Sequence, residues 1–520
     1  NLLLSPIITN RKTEYMKLFQ RSLKSVFSLR YKKIEQFCKD PKGSQDAVLN
    51  ELLSKAKKTE WGTSHNFKKV KSYEEYTANV PLNDYETLKG YIERMVSGEK
   101  NILWPGQVKW FAKSSGTTND KSKFIPVSNE SLHKCHYKAA LDVFALYVKN
   151  NPDTKILTGK NLTVGGSQRI SALSSKTHTG DLSAVMLYNL PKLSRLKNTP
   201  SADIALIPDF EEKIEKIIKA TVKENIISFS GVPSWFLVMI KKVLEETGKQ
   251  NLLEVWPNLE VFAHGGVNFD PYREQYKKLI PSDKMRYMNT YNASEGFFGI
   301  QNDLGVDDLL LMLDYGIFYE FIDMDNFFVV NPLVIPLWKV EKGINYAMVI
   351  STNGGLWRYV IGDTVSFTST NPYKIKITGR TRHFINAFGE ELIIDNAEKG
   401  LKKACETTGA TINEYTAGPV FMGDDQKGCH QWIIEFEKQP ENVEEFAEVL
   451  DNELKLLNSD YEAKRYKNLT LRSPQIIIAP QGTFYLWLKN KGKVGGQNKI
   501  PRLANNREYL DSLLEILPKS

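Results

Sequence analysis

The chain has 520 residues, which is too long for a single hydrophobic core and predicts two or more domains. With 41% hydrophobic and 25% charged residues it has the composition of a soluble globular protein, and no apolar run reaches the roughly 18 residues of a membrane-spanning helix. The 69 basic and 61 acidic residues are well mixed, so the net charge of +8 suits a small anionic ligand and does not require nucleic acid.

Four cysteines are scattered without the spacing of a metal site, which predicts reduced thiols in a cytoplasmic protein; they are Cys38, Cys135, Cys405 and Cys429. The first residues include a short apolar patch but no long apolar core with a small-residue cleavage site, so we do not expect a signal peptide. We expect a cytoplasmic monomer.

Helices are predicted for the first hundred residues. Apolar residues recur at helical spacing between residues 11 and 58, and two shorter helices are expected over residues 72–97, on either side of Pro81. The basic residues among them indicate a solvated face. An apolar and aromatic run at residues 108–112 then predicts a strand.

A hydroxyl-rich stretch, Lys113–Ser128, leaves this strand as a turn. Gly116 lets the backbone approach a ligand closely, and Lys121 and Lys123 add compact positive charge. Hydroxyl donors and consecutive amides could cradle a polyphosphate; the candidate hydroxyls are those of Ser114, Ser115, Thr117 and Thr118. The second glycine of a Walker loop is missing, and a polar surface turn is the alternative that this stretch leaves open.

Strands and helices alternate between residues 129 and 291, which predicts a mainly parallel sheet covered by helices. Helices are expected at 129–149, 209–224, 234–248 and 271–279, and strands at 160–165, 226–230, 259–263 and 285–291. In such sheets ligands bind at the carboxyl ends of the strands.

The pattern changes after residue 309. Short strand-like segments separated by turn residues predict an antiparallel sheet or a small barrel; they are 309–312, 316–322, 327–330, 346–351, 357–360, 365–367 and 373–377. Beyond residue 382, the order helix, strand, strand, helix predicts a separate small domain with a hinge at 379–386. The predicted fold class is therefore α/β and α+β. A large domain over 1–380 holds helix-covered sheets and a β-barrel-like part, and a small mobile α+β domain covers 381–520.

Glycines mark further candidate positions at strand ends. Gly265-Gly266 offers a flat backbone surface for a planar ring such as a purine, although a tight turn between strand and helix explains the pair equally well. Gly362-Asp363 could bring a carboxylate to two ribose hydroxyls, and it is also an ordinary turn. Arg380, which follows Gly379, could meet the ribose or a phosphate.

The segment Tyr291–Gly296 places an aromatic ring, a hydroxyl and a carboxylate at one turn. Tyr291 could stack on a base, and Ser294 could contact a phosphate. Glu295 is a candidate metal ligand, since magnesium prefers carboxylate oxygens together with substrate phosphates. An exposed loop acid is the alternative.

Five short motifs precede a small terminal domain in a specific order. They are a Ser/Thr/Gly/Lys loop, Gly-Gly, Tyr-x-x-Ser-Glu, Gly-Asp and Gly-Arg. This order resembles the adenylate-forming superfamily, which includes acyl-CoA synthetases, luciferase and the adenylation domains of peptide synthetases. Within it the chain is similar to the acyl-acid amido synthetases of the Gretchen Hagen three family, an auxin-responsive promoter family known for conjugating auxin and jasmonate. The resemblance runs from about residue 30 to the end, and its specific segments are 121–126, 230–235, 264–266 and 497–502.

The resemblance implies a large domain that binds ATP and a small domain that moves. It implies that the hydroxyl-rich loop binds phosphates and that Gly265 and Gly266 lie against the nucleotide. Tyr291, Ser294 and Glu295 would serve adenine, phosphate and Mg²⁺ in that order. Asp363 would hold the ribose, with Arg380 nearby.

The resemblance also assigns a lysine of the small domain. Lys499 would reach the α-phosphate during adenylation, so Lys499 and Glu295 are the catalytic candidates. The acid-binding candidates follow by analogy and are Gly166, Ser230, Val232 and Trp235. Asn386 departs from the lysine that many acyl-CoA synthetases carry after the hinge.

The implied function is ATP-dependent activation of a carboxylic acid as its acyl-adenylate, with release of pyrophosphate. An amine, by default an amino acid, then takes the acyl group. An acyl-CoA ligase that shares the first step is the alternative. An inactive nucleotide-binding protein is a second alternative, against which the joint presence of Glu295, Asp363 and Lys499 argues.

Overall fold

The computed structural model describes residues 5–115, 122–164, 171–207, 209–267, 269, 272–381, 384–423, 427–468, 470–490 and 501–517. Several predicted site residues lie outside the described residues; they are Gly116, Thr117, Thr118, Lys121, Gly166 and Lys499. Within the described part of the chain, no helix is long and apolar enough to cross a membrane.

The N-terminal helices are α1 Ser5–Lys39, α2 Pro41–Ala56, α3 Glu60–Ser64, α4 Tyr73–Asn79 and α5 Tyr85–Val96. All but the short α3 lie in or across the predicted helical ranges. The chain breaks between α1 and α2 at Asp40, whose carboxylate accepts a hydrogen bond of 2.9 Å from the Gly43 amide. Pro41 occupies the first position of α2, where a helix needs no amide donor.

The remaining helices are α6 Tyr137–Asn150, α7 Leu182–Tyr188, α8 Lys192–Arg195, α9 Ala202–Ala205, α10 Phe210–Thr221, α11 Pro233–Thr247, α12 Arg273–Leu279, α13 Ile394–Thr408, α14 Val443–Leu457, α15 Ser459–Arg465, α16 Thr483–Asn490 and α17 Glu508–Leu514. A π-helical turn, Ser131–His136, precedes α6. Ser128 precedes this turn, and its hydroxyl accepts a hydrogen bond of 2.9 Å from the Ser131 amide, as the side chain of a helix cap does.

The strands are β1 Trp110–Ser115, β2 Ser122–Val127, β3 Lys160–Thr163, β4 Ser171–Ala172, β5 His178–Gly180, β6 Asn198–Thr199, β7 Ile226–Gly231, β8 Val261–Gly265, β9 Arg286–Ala293, β10 Gly296–Ile300, β11 Leu309–Leu311, β12 Ile317–Asp323, β13 Val334–Pro336, β14 Asn345–Thr352, β15 Tyr359–Thr370, β16 Tyr373–Arg380, β17 Phe384–Ile385, β18 Leu392–Ile393, β19 Thr411–Val420, β20 Cys429–Lys438 and β21 Gln475–Ala479.

One twelve-stranded sheet forms the centre of the large domain, in the order β13-β12-β14-β15-β16-β11-β10-β9-β8-β7-β3-β6. The strands from β6 to β9 pair in parallel, as the alternating pattern predicts. The strands from β9 to β13 pair antiparallel. Of the two alternatives for residues 309–377, the antiparallel sheet is present. Its strands continue the parallel half and do not close into the small barrel.

The strand predicted at residues 327–330 is wrong. These residues form turns and bends, and Phe328 is 77% exposed and Val330 91% exposed. Their aromatic and β-branched side chains favour a strand locally, but β13 occupies the edge of the sheet beside β12. The edge of β12 is therefore not open to residues 327–330.

A buried ion cluster joins α1 to α6 and the sheet. The Arg30 guanidinium lies 2.7 Å from Asp142 and 2.6 Å from Asp314, and Arg30 is 7% exposed. Tyr315 donates a hydrogen bond of 2.7 Å to Asp142, and Lys138 lies 2.9 Å from Asp314. The cluster therefore fixes the N-terminal helix to the large domain.

Arg30→Met should lower the free energy of unfolding by about 3–5 kcal/mol, because the substitution leaves a buried carboxylate without its cation. Thermal unfolding followed by circular dichroism would measure the loss. Arg94→Met is the matched control, since Arg94 also pairs with two carboxylates, Glu60 and Glu99, but on the surface. An equal effect of the two substitutions would contradict the structural role of the buried cluster.

The small domain is built on a three-stranded sheet, β19-β20-β21, with α13 and α14 packed together. Its hydrophobic core is continuous with side chains of α11 and α12 in the large domain. Between the domains, Tyr272 donates a hydrogen bond of 2.8 Å to the Ala387 carbonyl, and Lys241 donates one of 3.1 Å to the Gly423 carbonyl. The domain boundary at 380/381 stays a prediction.

Candidate active site

The pairing of β15 with β16 brings two of the predicted residues together. Asp363 and Arg380 are opposite each other in the register, and the Arg380 Nε lies 2.9 Å from the Asp363 Oδ1. Tyr291, from β9, donates a hydrogen bond of 2.6 Å to the other carboxylate oxygen of Asp363. Burial and the adjacent Asp363 raise the pKa of Tyr291 well above its usual value, so the phenol keeps its proton and acts as a donor.

Arg380 also reaches across the predicted hinge. Its Nη2 lies 3.1 Å from Glu391 Oε1, and its guanidinium lies 4.8 Å from the centre of the Phe384 ring. Burial acts to lower the pKa of Arg380, but Glu391 and Asp363 outweigh it and raise that pKa above its ordinary value. The arginine is therefore charged and tied to both domains. Glu391 was missed as a site residue, because only the fold brings it to Arg380.

Glu295 lies in the turn between β9 and β10, close to the same cluster. Burial raises the pKa of Glu295 to about 7, Lys123 opposes this shift, and Glu391 and Asp363 add to it. Lys123 lies on β2, with its ammonium 5.8 Å from the centre of the Tyr85 ring. Predicted residues from three separate segments thus share one electrostatic environment.

The donor set fits one kind of metal site. Among the described residues, no group of three or more His, Cys, Asp or Glu side chains could hold a metal ion. Mg²⁺ is commonly bound by one or two carboxylates together with substrate phosphates and water, and Glu295 is a carboxylate of the kind that such a site uses. Ser294 stands next to Glu295 in the same turn and is half-buried.

Gly265 and Gly266 end β8 beside β9. A Cβ on Gly265 would lie 2.4 Å from the Thr290 carbonyl oxygen, so the close pairing of these strands alone requires glycine there. Gly266 has φ +84°, a conformation that favours glycine. Its carbonyl accepts a hydrogen bond of 3.3 Å from Asn386, which brings the segment after the hinge to this edge of the sheet.

Gly265→Ala should abolish nucleotide binding, because the new methyl group would push β8 away from β9 beside Tyr291. A fluorescent ATP analogue titrated into the variant would measure the loss. Gly90→Ala is the control, since Gly90 lies in helix α5 with nothing within 4 Å of the added carbon. Wild-type affinity in the Gly265 variant would contradict the placement of the nucleotide.

The described acid-binding candidates lie at the turn from β7 to α11. Ser230 donates a hydrogen bond of 3.0 Å to Asn161, and a Cβ on Gly266 would lie 3.4 Å from a methyl group of Val232. Trp235 lies under the ammonium of Lys464, a residue of the small domain, at 4.4 Å from the ring centre. This turn therefore adjoins both the Gly265-Gly266 segment and the small domain.

His136 is a further residue that the sequence did not single out. It ends the π-helical turn before α6 and is fully buried, with the Asn292 side chain close enough to its ring to act on its pKa. Burial lowers its pKa to about 4, against the effect of Asn292, so the ring is neutral. Turns of this kind are frequent at functional sites. Nothing in the local sequence pattern distinguishes His136 from a core histidine.

Three family models match the chain in succession. They are the GH3 family N-terminal domain over residues 30–285, the GH3 family central domain over 310–380 and the GH3 family C-terminal domain over 395–508.

Proteins similar over nearly the whole chain include two from Arabidopsis thaliana. The 4-substituted benzoates-glutamate ligase GH3.12 is 22% identical, over 93% of this chain and 96% of its own length. The indole-3-acetic acid-amido synthetase GH3.4 is 24% identical, over 91% of each chain. The jasmonoyl--L-amino acid synthetase JAR4 of Nicotiana attenuata is 22% identical, over 93% of this chain and 95% of its own.

Two solved structures share the fold. The AtGH3.15 acyl acid amido synthetase in complex with 2,4-DB has a TM-score of 0.61 and 19% identity, and the match covers 95% of this chain and 97% of that one. The 2-hydroxyisobutyryl-CoA ligase in its thioesterification state, in complex with 2-HIB-AMP and CoA, has a TM-score of 0.55 and 12% identity, with 92% of each chain covered.

Proposed function

The chain belongs to the GH3 family, and from that premise we propose that it is an ATP-dependent acyl-acid amido synthetase. It activates a carboxylic acid as the acyl-adenylate, with release of pyrophosphate, and transfers the acyl group to the amine of an amino acid. The observation that carries the proposal is the convergence of Tyr291, Asp363 and Arg380 beside Glu295.

The cluster of Tyr291, Asp363 and Arg380 suits the first half of this reaction, in which ATP is bound and the acid is adenylated. Asp363, held by Tyr291 and Arg380, presents a carboxylate for the two ribose hydroxyls. Arg380, held between Asp363 and Glu391, supplies a charged guanidinium next to it, which suits a phosphate. The hydroxyl-rich loop beyond β1 binds the β- and γ-phosphates.

A carboxylate is a poor acylating agent, because its leaving group would be oxide. When a carboxylate oxygen of the acid attacks the α-phosphate of ATP, pyrophosphate is released and the acyl group becomes bonded to AMP, which is a good leaving group. Catalysis then consists mainly of positioning and of stabilising the charge on the phosphates. Lys499 and Lys123 supply positive charge, and a magnesium ion held by Glu295 neutralises phosphate oxygens when it is bound.

The decisive experiment is ATP–pyrophosphate exchange across a panel of carboxylic acids that includes benzoates, indole-acetic acids and fatty acids. Exchange that depends on one class of acid supports the adenylation step and names the acid. No exchange with any acid would overturn the proposal in favour of an inactive nucleotide-binding protein.

Mass spectrometry of the products separates the two transfer reactions. The best acid is incubated with ATP and the twenty amino acids, or with ATP and CoA. An amide product supports the proposal, whereas a thioester formed without any amide would make the protein an acyl-CoA ligase, as the likeness to the 2-hydroxyisobutyryl-CoA ligase fold allows.

A further inference from the structure

Helix α15 of the small domain lies against β1 of the large domain, directly before the hydroxyl-rich loop. Asp460 and Lys464 are four residues apart on this short helix and therefore share one face. The helix thus brings one carboxylate and one ammonium into the cleft between the domains.

Lys464 is a buried cation in that cleft. It is 8% exposed, and its ammonium lies 4.4 Å from the centre of the Trp235 ring on α11. On the other side is Gly389, where an added Cβ would lie 3.5 Å from the ammonium nitrogen. The lysine is therefore held between an aromatic ring of the large domain and a glycine of the small domain, a geometry in which a cation gains from the ring.

Negative charge is distributed around this lysine. Burial lowers the pKa of Lys464 below its ordinary value, although Asp460, Glu390 and Asp181 favour its charged form. Burial raises the pKa of Asp460 to about 7; Lys464 opposes this shift, and Glu391 adds to it. The cleft therefore holds a positive and a negative side chain close together. Burial makes the charged form of each less favourable, and a ligand group of opposite charge would offset part of that free-energy cost.

The cleft adjoins both halves of the proposed reaction. Trp235 belongs to the turn and helix that carry the acid-binding candidates, and Lys113 of β1, which also acts on Asp460, leads into the hydroxyl-rich loop. Glu391 links the cleft to Arg380. The surroundings of Lys464 thus connect the turn that carries the acid-binding candidates with the cluster around Arg380.

We propose that this cleft is the acceptor site and that Lys464, braced by Trp235, binds the α-carboxylate of the acceptor amino acid, while Asp460 faces its ammonium group. The inference rests on the proposed transfer to an amino acid and assigns the recognition of that acceptor to Lys464 and Asp460. An amine without a carboxylate lacks this contact with Lys464 and is a poor acceptor.

Lys464→Met tests this assignment through acceptor preference. The readout is the ratio of kcat/KM for the amino acid selected in the conjugation assay to kcat/KM for its α-carboxamide. A charged hydrogen-bonded contact corresponds to a preference of about 10–100-fold. We expect the wild-type protein to show this preference, Lys464→Met to lose it mainly through a higher KM for the amino acid, and Lys464→Arg to restore most of it.

Lys467→Met is the matched control. Lys467 follows α15, is exposed and pairs across the same domain interface with Glu211 at 2.5 Å. Its replacement therefore removes a lysine contact between the domains without changing the cleft. We expect its acceptor preference to equal that of the wild type. Thermal unfolding of each variant identifies a folding defect, for which Lys464→Arg provides the second test.

ATP–pyrophosphate exchange is followed in parallel, because it needs no acceptor. If the wild type catalyses pyrophosphate exchange but Lys464→Met still prefers the amino acid over its carboxamide, the assignment of the acceptor site is overturned and the proposed function stands. A wild-type protein without exchange for any acid would overturn the proposed function itself.

Discussion

Glu295→Gln is expected to lower the rate of ATP–pyrophosphate exchange by about 10³-fold. The amide keeps the size of the side chain but removes the negative charge that a magnesium ligand needs. The rate should be measured across a magnesium titration.

Glu274→Gln provides the control for this substitution. Glu274 is an exposed residue of α12 that pairs with Lys277 at 2.8 Å, and its replacement should leave both the exchange rate and its magnesium dependence unchanged. An unaltered magnesium dependence in Glu295→Gln would remove Glu295 from the metal site.

The same variant has a second expected result in the absence of ligands. The pKa of Glu295 is about 7 in the folded protein against 4.5 in the reference state, so the folded state retains a proton between these pH values. The free energy of unfolding of the wild type should therefore fall as the pH rises from 4.5 to about 7, by up to about 3 kcal/mol from this group. Glu295→Gln stays neutral and should lack that fall, which thermal unfolding at each pH would measure.

Lys499→Ala is expected to reduce adenylation by about 10³-fold or more while ATP still binds. In the proposed mechanism a compact ammonium at the α-phosphate stabilises the charge that develops during the reaction, whereas the proposed ground-state contacts to ATP are those of the loop, Tyr291, Asp363 and Arg380. Pyrophosphate exchange and calorimetric ATP titration of the variant together measure the two effects. Lys402→Ala, on the exposed face of α13, is the control, and full exchange in Lys499→Ala would refute its catalytic role.

Much of the fold follows from patterns within single segments. The two helices on either side of Pro81 and the helix over 129–149 could be predicted because capping and proline chemistry act over a few residues. The segment 327–330 shows where this reasoning ends. Its composition favours a strand, but a strand also needs a neighbour, and β13 already pairs with β12 at that edge.

The candidate site divides in the same way. Tyr291, Asp363 and Arg380 could each be chosen from its own turn, since a glycine or an aromatic residue at a strand end is a local signal. Their contacts could not be predicted locally, because the Tyr291–Asp363 hydrogen bond spans 72 positions of sequence. Glu391 and Lys464 gave no such local signal, since neither lies at a turn whose chemistry requires its side chain.

The sequence by itself determined the alternation of strands and helices, the strand ends that carry polar groups and the family to which the chain belongs. It did so because periodicity, turn chemistry and short motifs depend on neighbours along the chain. Only the tertiary structure decided that the antiparallel strands extend the parallel sheet, that Arg380 joins Asp363 to Glu391, and that Lys464 meets Trp235 between the domains. These contacts depend on strand register and domain packing, which bring together side chains that are far apart in sequence.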